Sequence, residues 1–260
     1  MMKSWLHEIY LYRELLGNLV VTELKLRYRH SILGFLWAIL NPLFFLLILA
    51  VVFSRIIKFQ MDNYTIFLFS GLTAWLMIQQ TVLIATGSIV NNQHLIKKVY
   101  IPKIIFPLSN VLARFVDHLT LTIILLIFMA YFKMPFNLSL LFLLPAILMI
   151  FLFSLGFSLL ASVLYVKARD VQHILSIVFQ AFFYLTPIIY PLNILPPSFH
   201  KIFLLNPFYY FIQLFRAPVY AGQLPSLKIF IVALSITAIT FITGLAVFFR
   251  KERAFVFELS

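Results

Sequence analysis

The length, composition and charge of this chain exclude a soluble protein. Its 260 residues are 63% hydrophobic and 11% charged, whereas soluble domains are about 45–50% apolar and about 25% charged. A net charge of +12 would suggest a nucleic-acid partner in a soluble protein, but the Lys and Arg residues lie between apolar runs and are typical of membrane topology signals. The absence of cysteine excludes disulfides and thiolate metal sites. We therefore predict an integral membrane protein with no nucleic-acid partner.

The first 30 residues predict a helix that lies outside the membrane core. Apolar residues recur every three or four positions, as Trp5, Ile9, Tyr12, Leu16 and Leu19. This spacing puts them on one face, so the pattern predicts an amphipathic helix over 4–24. The helix either lies in the cytoplasmic interface of the membrane or packs on the spans. We expect residues 1–30 to form this interface helix and a linker.

Long uncharged runs locate the membrane spans. A helix needs about 20 apolar residues to cross the bilayer core. The third predicted span contains Arg114 and Asp117, whose i, i+3 spacing allows them to pair on one face. The fold predicted for 31–249 is an all-α transmembrane domain, followed by a cytoplasmic tail at 250–260. Its six spans are placed at about 32–53, 66–86, 109–132, 139–165, 172–190 and 229–249.

The distribution of Lys and Arg predicts the orientation of the spans. With an even number of spans, both chain ends lie on the same side of the membrane. Lys and Arg are in excess on that side, which includes the 87–114 and 166–171 segments. Because cytoplasmic loops are enriched in these residues, we expect both termini in the cytoplasm.

The 191–228 segment is apolar but is too broken by proline to span the membrane. Its prolines are Pro191, Pro196, Pro197, Pro207, Pro218 and Pro225. The apolar pieces between them are too short to cross the bilayer. They predict re-entrant or interfacial half-helices on the outer side.

The sequence contains none of the common nucleotide-binding or catalytic motifs. The patterns G-x-x-x-x-G-K-[ST], H-E-x-x-H and G-x-S-x-G are all absent. Asp117 and His118 form an acid–imidazole pair, but no nucleophile accompanies them, and a polar pair beside Arg114 is the simpler interpretation. We therefore expect no catalytic residue, metal or cofactor on this chain.

Two predicted spans carry polar and aromatic side chains on one face. The residues recur every three or four positions, which is the helical spacing. In the first span they are Trp37, Asn41 and Phe45, and in the fifth they are Ser176, Gln180 and Tyr184. An amide or hydroxyl is out of place against lipid. These faces suit either helix–helix contact or a polar-lined route for a substrate.

Four segments carry a resemblance to a known family. The most specific is ELKLRYRHSILGFLWAILNPL at 23–43, in which a basic and aromatic lead is followed by S-x-L-G-x-L-W and L-N-P-L. The others are NNQHLIKKVYIPKIIFPLSNV at 91–111, VKARDVQHIL…FYLTPIIYP at 166–191 and NPFYYFIQLFRAPVYAGQ at 206–223. In this order they resemble the ABC-2 type permeases that export polysaccharides, such as O-antigen, teichoic acid and capsule-like polymers. The similarity covers nearly the whole chain.

The resemblance implies the permease subunit of a transporter in the bacterial cytoplasmic (inner) membrane. A homodimer would form the channel for a lipid-linked polysaccharide. Two copies of a separate ABC ATPase subunit, which holds ATP and Mg, would dock on the cytoplasmic side. The N-terminal helix corresponds to the interface helix of the family, and the 191–228 segment corresponds to its outer gate helices.

The resemblance also locates the ATPase-docking residues in two cytoplasmic loops, at 91–103 and 166–171. They are Asn92, His94, Lys97, Lys98, Tyr100, Lys103, Lys167, Arg169 and Asp170. The lysines also act as topology signals, and that could be their whole role. Two other functions stay open at this point, an ABC-2 exporter of a small lipid or drug and a membrane-embedded transferase.

Overall fold

The computed structural model describes residues 2–27, 31, 33–34, 36–52, 61–194, 196–252 and 254–258. Within these residues the chain is helical and contains no strand. The α-helices are α1 (Met2–Leu11), α2 (Arg13–Arg27), α3 (Leu36–Val51), α4 (Tyr64–Thr86), α5 (Ser88–Asn91), α6 (Gln93–Lys98), α7 (Ile105–Tyr131), α8 (Leu143–Lys167), α9 (Val171–Leu185), α10 (Pro197–Leu205), α11 (Pro207–Arg216), α12 (Leu227–Lys251) and α13 (Phe255–Glu258). Short 3₁₀ helices cover Leu138–Phe142 and Leu192–Ile194, and a π-helical turn covers Ala217–Ala221.

In the described part of the chain, four helices are long and apolar enough to cross a membrane. These are α4, α7, α12 and α8 with the 3₁₀ helix before it. Helices α3 and α9 are apolar but have 16 and 15 residues. At about 1.5 Å per residue they measure about 24 and 22 Å, against about 30 Å of hydrocarbon. The chain is a multi-pass membrane protein, and the count of six spans stays a prediction.

Helix α9 ends before the end of the predicted span at 172–190. Thr186 has φ −109° and ψ 135°, which is extended backbone. The cause is Pro187, because a residue that precedes proline is driven out of the helical region. Residues 186–189 are nevertheless buried. The chain therefore stays inside the protein after α9 ends.

Helix α4 lies at the centre of the larger apolar core. Its buried residues lie on every side, which is typical of a helix enclosed by others, and it packs against α7, α8 and α11. The ring of Trp75 has Phe179 of α9 and Phe208 of α11 at centroid distances of 5.9 and 5.4 Å, both edge-to-face. Aromatic pairs are favourable at about 4.5–7 Å in this geometry. These contacts join the two short helices to the long one.

Helices α8 and α12 touch backbone to backbone. A Cβ added at Gly156 would lie 2.6 Å from Phe241 Cα, and one added at Gly244 would meet the carbonyl of Gly156. Small residues permit this close approach between membrane helices. The two glycines therefore set the distance between α8 and α12.

A smaller apolar cluster lies where α4, α7, α8 and α12 meet the N-terminal helices and the tail. Phe106, Phe248 and Phe255 are fully buried within it. The predicted apolar stripe from Trp5 to Leu19 packs against this cluster. The N-terminal segment forms two helices, α1 and α2, which meet at Tyr12.

Polar contacts fix the N-terminal helices and the third predicted span. Asn110 of α7 donates a hydrogen bond to Glu23 of α2 at 3.4 Å. The predicted pairing of Arg114 with Asp117 is confirmed, with 3.4 Å between a guanidinium nitrogen and a carboxylate oxygen. Asp117 is buried, and the pairing lowers the cost of placing a charge inside a membrane helix.

Candidate functional site

The polar and aromatic residues predicted for the pathway lie on the surface of the single chain. Helices α3 and α9 approach each other where the rings of Phe45 and Phe183 are 6.1 Å apart. All six predicted pathway residues are exposed. They are Trp37, Asn41 and Phe45 on α3, and Ser176, Gln180 and Tyr184 on α9. The side chain of Tyr184 is 62% exposed. These two faces are therefore open to lipid, to a second copy or to a substrate.

Helix α9 is attached to the rest of the chain along a narrow line. Among its residues, all of which the structure describes, only Phe179 is buried. That ring contacts Trp75 of α4 and Phe157 of α8 at centroid distances of 5.9 and 6.1 Å. Leu175, Phe182 and Phe183 are half-buried against the larger core, and the opposite face of α9 is exposed.

The first predicted docking loop is anchored by apolar side chains and presents basic and aromatic ones. Ile96 and Ile101 are buried in the smaller apolar cluster. Lys97, Lys98 and Tyr100 are exposed, with Tyr100 at 75%. Residues 96–101 and 103 line a shallow surface cavity.

The polar residues around this loop differ in their roles. Asn92 donates a hydrogen bond to the carbonyl of Ser88 at 2.8 Å, which connects α5 to α6. His94 is exposed, and Lys103 is half-buried. The hydroxyl of Tyr12 donates to the carbonyl of Tyr100 at 3.4 Å. The loop is thus tied to the junction between α1 and α2.

The second predicted docking loop follows α8 and is also exposed. Arg169 donates to the carbonyl of Tyr165 at 3.0 Å, and its guanidinium lies 5.2 Å from the centroid of that ring. Lys167 lies 4.0 Å from the carboxylate of Glu258 in α13. Asp170 is exposed. The C-terminal helix therefore contacts the base of this loop.

The structure brings the two loops to the same end of the molecule. Val166, at the start of the second loop, is buried in the same apolar cluster as Ile96 and Ile101. By contrast, Leu46 of α3 and Phe179 of α9 belong to the larger core. The candidate docking residues and the candidate pathway residues are thus supported by different apolar clusters.

Sequence reasoning missed Arg216. In the sequence it was only one more cation of the proline-rich segment, but its side chain is 4% exposed. It donates to the carbonyls of Pro187 and Ile188, at 2.8 Å each. These partners lie 29 and 28 positions away. Helical spacing could not have revealed them.

The titratable side chains of the described residues are dispersed. Those residues contain no group of three or more His, Asp or Glu side chains that could hold an ion. Asp117 and His118 are both buried in α7, and Asp117 is paired with Arg114.

Comparison with known proteins identifies the family. The family described as "ABC-2 type transporter" matches residues 14–220. The chain belongs to the ABC-2 type transporter family. The matched range runs from α2 to the π-helical turn, so this ABC-2 domain includes both candidate docking loops and both candidate pathway helices.

Curated relatives of this ABC-2 protein match it over nearly their full length. A protein of Klebsiella pneumoniae named "O-antigen export system permease protein RfbA" is 32% identical over 243 residues, 93% of each chain. A Myxococcus xanthus protein of the same name is 31% identical over 250 residues, 95% of each chain. An Escherichia coli protein named "Polysialic acid transport protein KpsM" is 28% identical over 246 residues, 91% of this chain and 93% of that protein.

Proposed function

We propose that this chain is the permease subunit of an ABC transporter that exports a lipid-linked polysaccharide such as O-antigen. The observation that carries the proposal is the match, over at least nine-tenths of each chain, to two permeases named for O-antigen export. The absence of a nucleotide-binding motif from the sequence agrees with this role. ATP and Mg would be held by a separate ABC ATPase, so the chain itself is a transport subunit and not an enzyme.

The proposed channel is formed by a homodimer. Helices α3 and α9 leave Asn41, Ser176 and Gln180 exposed on the single chain. Amides and hydroxyls on a membrane helix are unfavourable against lipid but are satisfied by a partner helix, water or a hydroxylated polymer. A second copy would enclose these faces and form a polar-lined route between the two chains.

Aromatic residues on the same faces suit the transport of a long polymer. Trp37, Phe45 and Tyr184 are all exposed. By analogy with the stacking of bases on aromatic side chains, rings that contact sugar faces give modest attraction that tolerates different sugars. A polymer bound weakly at several such points can move on, whereas one tight site would stall it.

The two exposed loops at one end of the molecule are the proposed contacts with two ATPase subunits. Lys97, Lys98 and Arg169 present positive charge there, and Tyr100 adds an exposed aromatic ring. In this proposal that end faces the cytoplasm, together with both termini. The positive-inside rule supports the orientation, in the bacterial cytoplasmic membrane.

Helices α10 and α11 are the proposed re-entrant gate on the outer side. They have 9 and 10 residues, which is too short to cross the bilayer. Non-helical backbone at membrane depth is tolerated where protein covers it. Asn206, between α10 and α11, caps the start of α11 because its side chain accepts a hydrogen bond from the Phe208 amide at 2.9 Å. With α3 and α9 counted as spans, the proposal has six spans.

The test is ATP-driven export by the purified transporter. The chain and its ABC ATPase partner are reconstituted in proteoliposomes with a lipid-linked O-antigen polymer, and polymer protected from an added glycosidase is measured over time. We expect ATP-dependent movement of polymer that stops when the ATPase lacks its catalytic carboxylate. ATP hydrolysis with no movement of any lipid-linked polymer contradicts the proposal.

A capsule polymer is the second candidate substrate. The 28% identity to the protein named for polysialic acid transport favours it. The same proteoliposomes with a lipid-linked acidic capsule polymer decide between the two. Transport of only a small lipid or drug indicates the other kind of ABC-2 exporter, and sugar transfer without ATP indicates a transferase.

A further inference from the structure

The last two residues of α9 and the four that follow it have all their backbone carbonyls satisfied by specific donors. The last carbonyls of a helix lack intrahelical partners, and inside a membrane protein they must find others. For residues 184–189 the donors are, in order, Tyr190 Oη, Asn206 Nδ2, the Ile188 amide, the two terminal guanidinium nitrogens of Arg216, and Tyr64 Oη. Helix α4 and the α10–α11 region thus hold the end of α9 through side chains. We call residues 184–189 the exit turn.

Arg216 makes the strongest of these contacts. Its two terminal nitrogens bind consecutive carbonyls at 2.8 Å each, and its guanidinium carbon lies 3.8 Å from the centroid of the Phe67 ring. A buried guanidinium usually pairs with a carboxylate. Among the described residues it forms no such ion pair, and carbonyl dipoles and an aromatic face stabilise it instead.

The space for this guanidinium exists because residue 71 is glycine. A Cβ added at Gly71 would meet a terminal nitrogen of Arg216, and it would lie 3.3 Å from the Arg216 guanidinium carbon. The Arg216 side chain therefore joins its own helix α11 to two other elements, which are α4, through Phe67 and Gly71, and the exit turn. A cation whose only role was to mark membrane topology would need none of these partners.

We propose that Arg216 is a positioning residue for transport, which fixes the exit turn to α4 and α11 and so sets the orientation of the last turn of α9. Tyr184, a candidate pathway residue, lies only three positions before the first carbonyl that Arg216 binds. The consequence for export rests on the proposed function, but the position of the exit turn does not. The two can therefore be measured separately.

The position of the exit turn can be read from a single cysteine. The natural chain has no cysteine, and Ile189 is buried in the turn, so Ile189→Cys gives a thiol that a membrane-impermeant maleimide reaches only when the turn opens. Each hydrogen bond to a charged group is worth roughly a ten- to hundredfold change in an equilibrium, and in this background Arg216→Met removes two of them. We expect labelling of the folded transporter to be at least about tenfold faster. Arg216→Lys, which keeps the charge but not the fork, should give an intermediate rate, and Lys228→Met is the control for loss of an exposed charge.

A change at Gly71 tests the same contact from the other side. Gly71→Ala should displace the guanidinium and speed the labelling as Arg216→Met does. In the Arg216→Met background the guanidinium atoms are gone and only the Ile188 carbonyl oxygen, 3.3 Å from the added Cβ, stays close. Gly71→Ala should then add less than about twofold, which is the non-additivity expected of a shared contact. If Arg216→Met does not fold, Arg216→Lys and Gly71→Ala carry the test.

The outcomes separate the two proposals. Faster labelling together with reduced export supports the positioning role in transport, and faster labelling with wild-type export contradicts that role. If the wild-type chain itself exports no polysaccharide, faster labelling of the variants still shows that Arg216 holds the exit turn, and the proposed function is contradicted. Folded Arg216 and Gly71 variants with wild-type labelling overturn it, whatever their export.

Discussion

The contact between α8 and α12 makes a quantitative prediction about stability. A Cβ at Gly156 would lie 2.6 Å from both Phe241 Cα and the carbonyl oxygen of Thr240, whereas ordinary contacts are 3.4–4 Å. The substitution Gly156→Ala therefore forces the two helices apart by roughly 1 Å. Overpacking of this type costs about 1–3 kcal/mol, and the better helix propensity of alanine returns up to about 1 kcal/mol. We expect a net loss of about 1–2 kcal/mol.

The measurement is the apparent melting temperature of the detergent-solubilised chain, read as the loss of the monodisperse peak in size-exclusion chromatography after heating. A change of 1 kcal/mol shifts the melting temperature of a chain of this size by about 2–4 °C, so Gly156→Ala should melt about 2–8 °C lower. Gly17→Ala in α2 is the matched control, because a Cβ there meets nothing within 4 Å. If both variants melt at or above the wild-type temperature, the backbone contact does not limit packing and the reasoning is wrong.

Two further predictions concern the candidate functional residues. The double charge reversal Lys97→Glu and Lys98→Glu should lower co-purification of the ATPase while the permease still inserts. The control is Lys133→Glu, which reverses the charge of an exposed lysine beyond the other end of α7. Unchanged co-purification of the ATPase with the double variant contradicts the docking role. Tyr184→Ala should reduce polymer export while the folded dimer elutes normally. The control Tyr131→Ala removes a ring that is also highly exposed and should leave polymer export unchanged. Equal export by both tyrosine variants excludes Tyr184 from the pathway.

The sequence predicted local features well because they depend on spacing along one helix. The apolar stripe of the N-terminal segment packs on the smaller cluster, and the Arg114–Asp117 pair forms at its expected i, i+3 spacing. Both follow from the 3.6-residue period of a helix. Length was less well predicted, because Pro187 ends α9 at Leu185 inside an uncharged run.

The features that could not be predicted depend on contacts between distant elements. Gly156 and Gly244 are ordinary glycines in apolar helices until the two backbones are brought together. Arg216 is an unremarked cation until α11 is packed against α4 and the exit turn, where Gly71 leaves room for it. Neither pairing has a period or a motif, so pattern analysis has no signal to detect.

Helix α9 connects the two regions to which the proposals assign function. It begins at Val171, directly after the loop that carries Arg169 and Asp170, and it ends at the exit turn held by Arg216. Along its length only Phe179 is fully buried, and Leu175, Phe182 and Phe183 are half-buried against the core, so α9 is attached along one face. A rigid element that joins two regions and is attached along one face is suited to carry a change from one end to the other. In the proposed transporter, ATPase movement at the second loop would therefore reach Tyr184 directly through α9, and the exit turn would determine whether α9 rotates alone or together with α11.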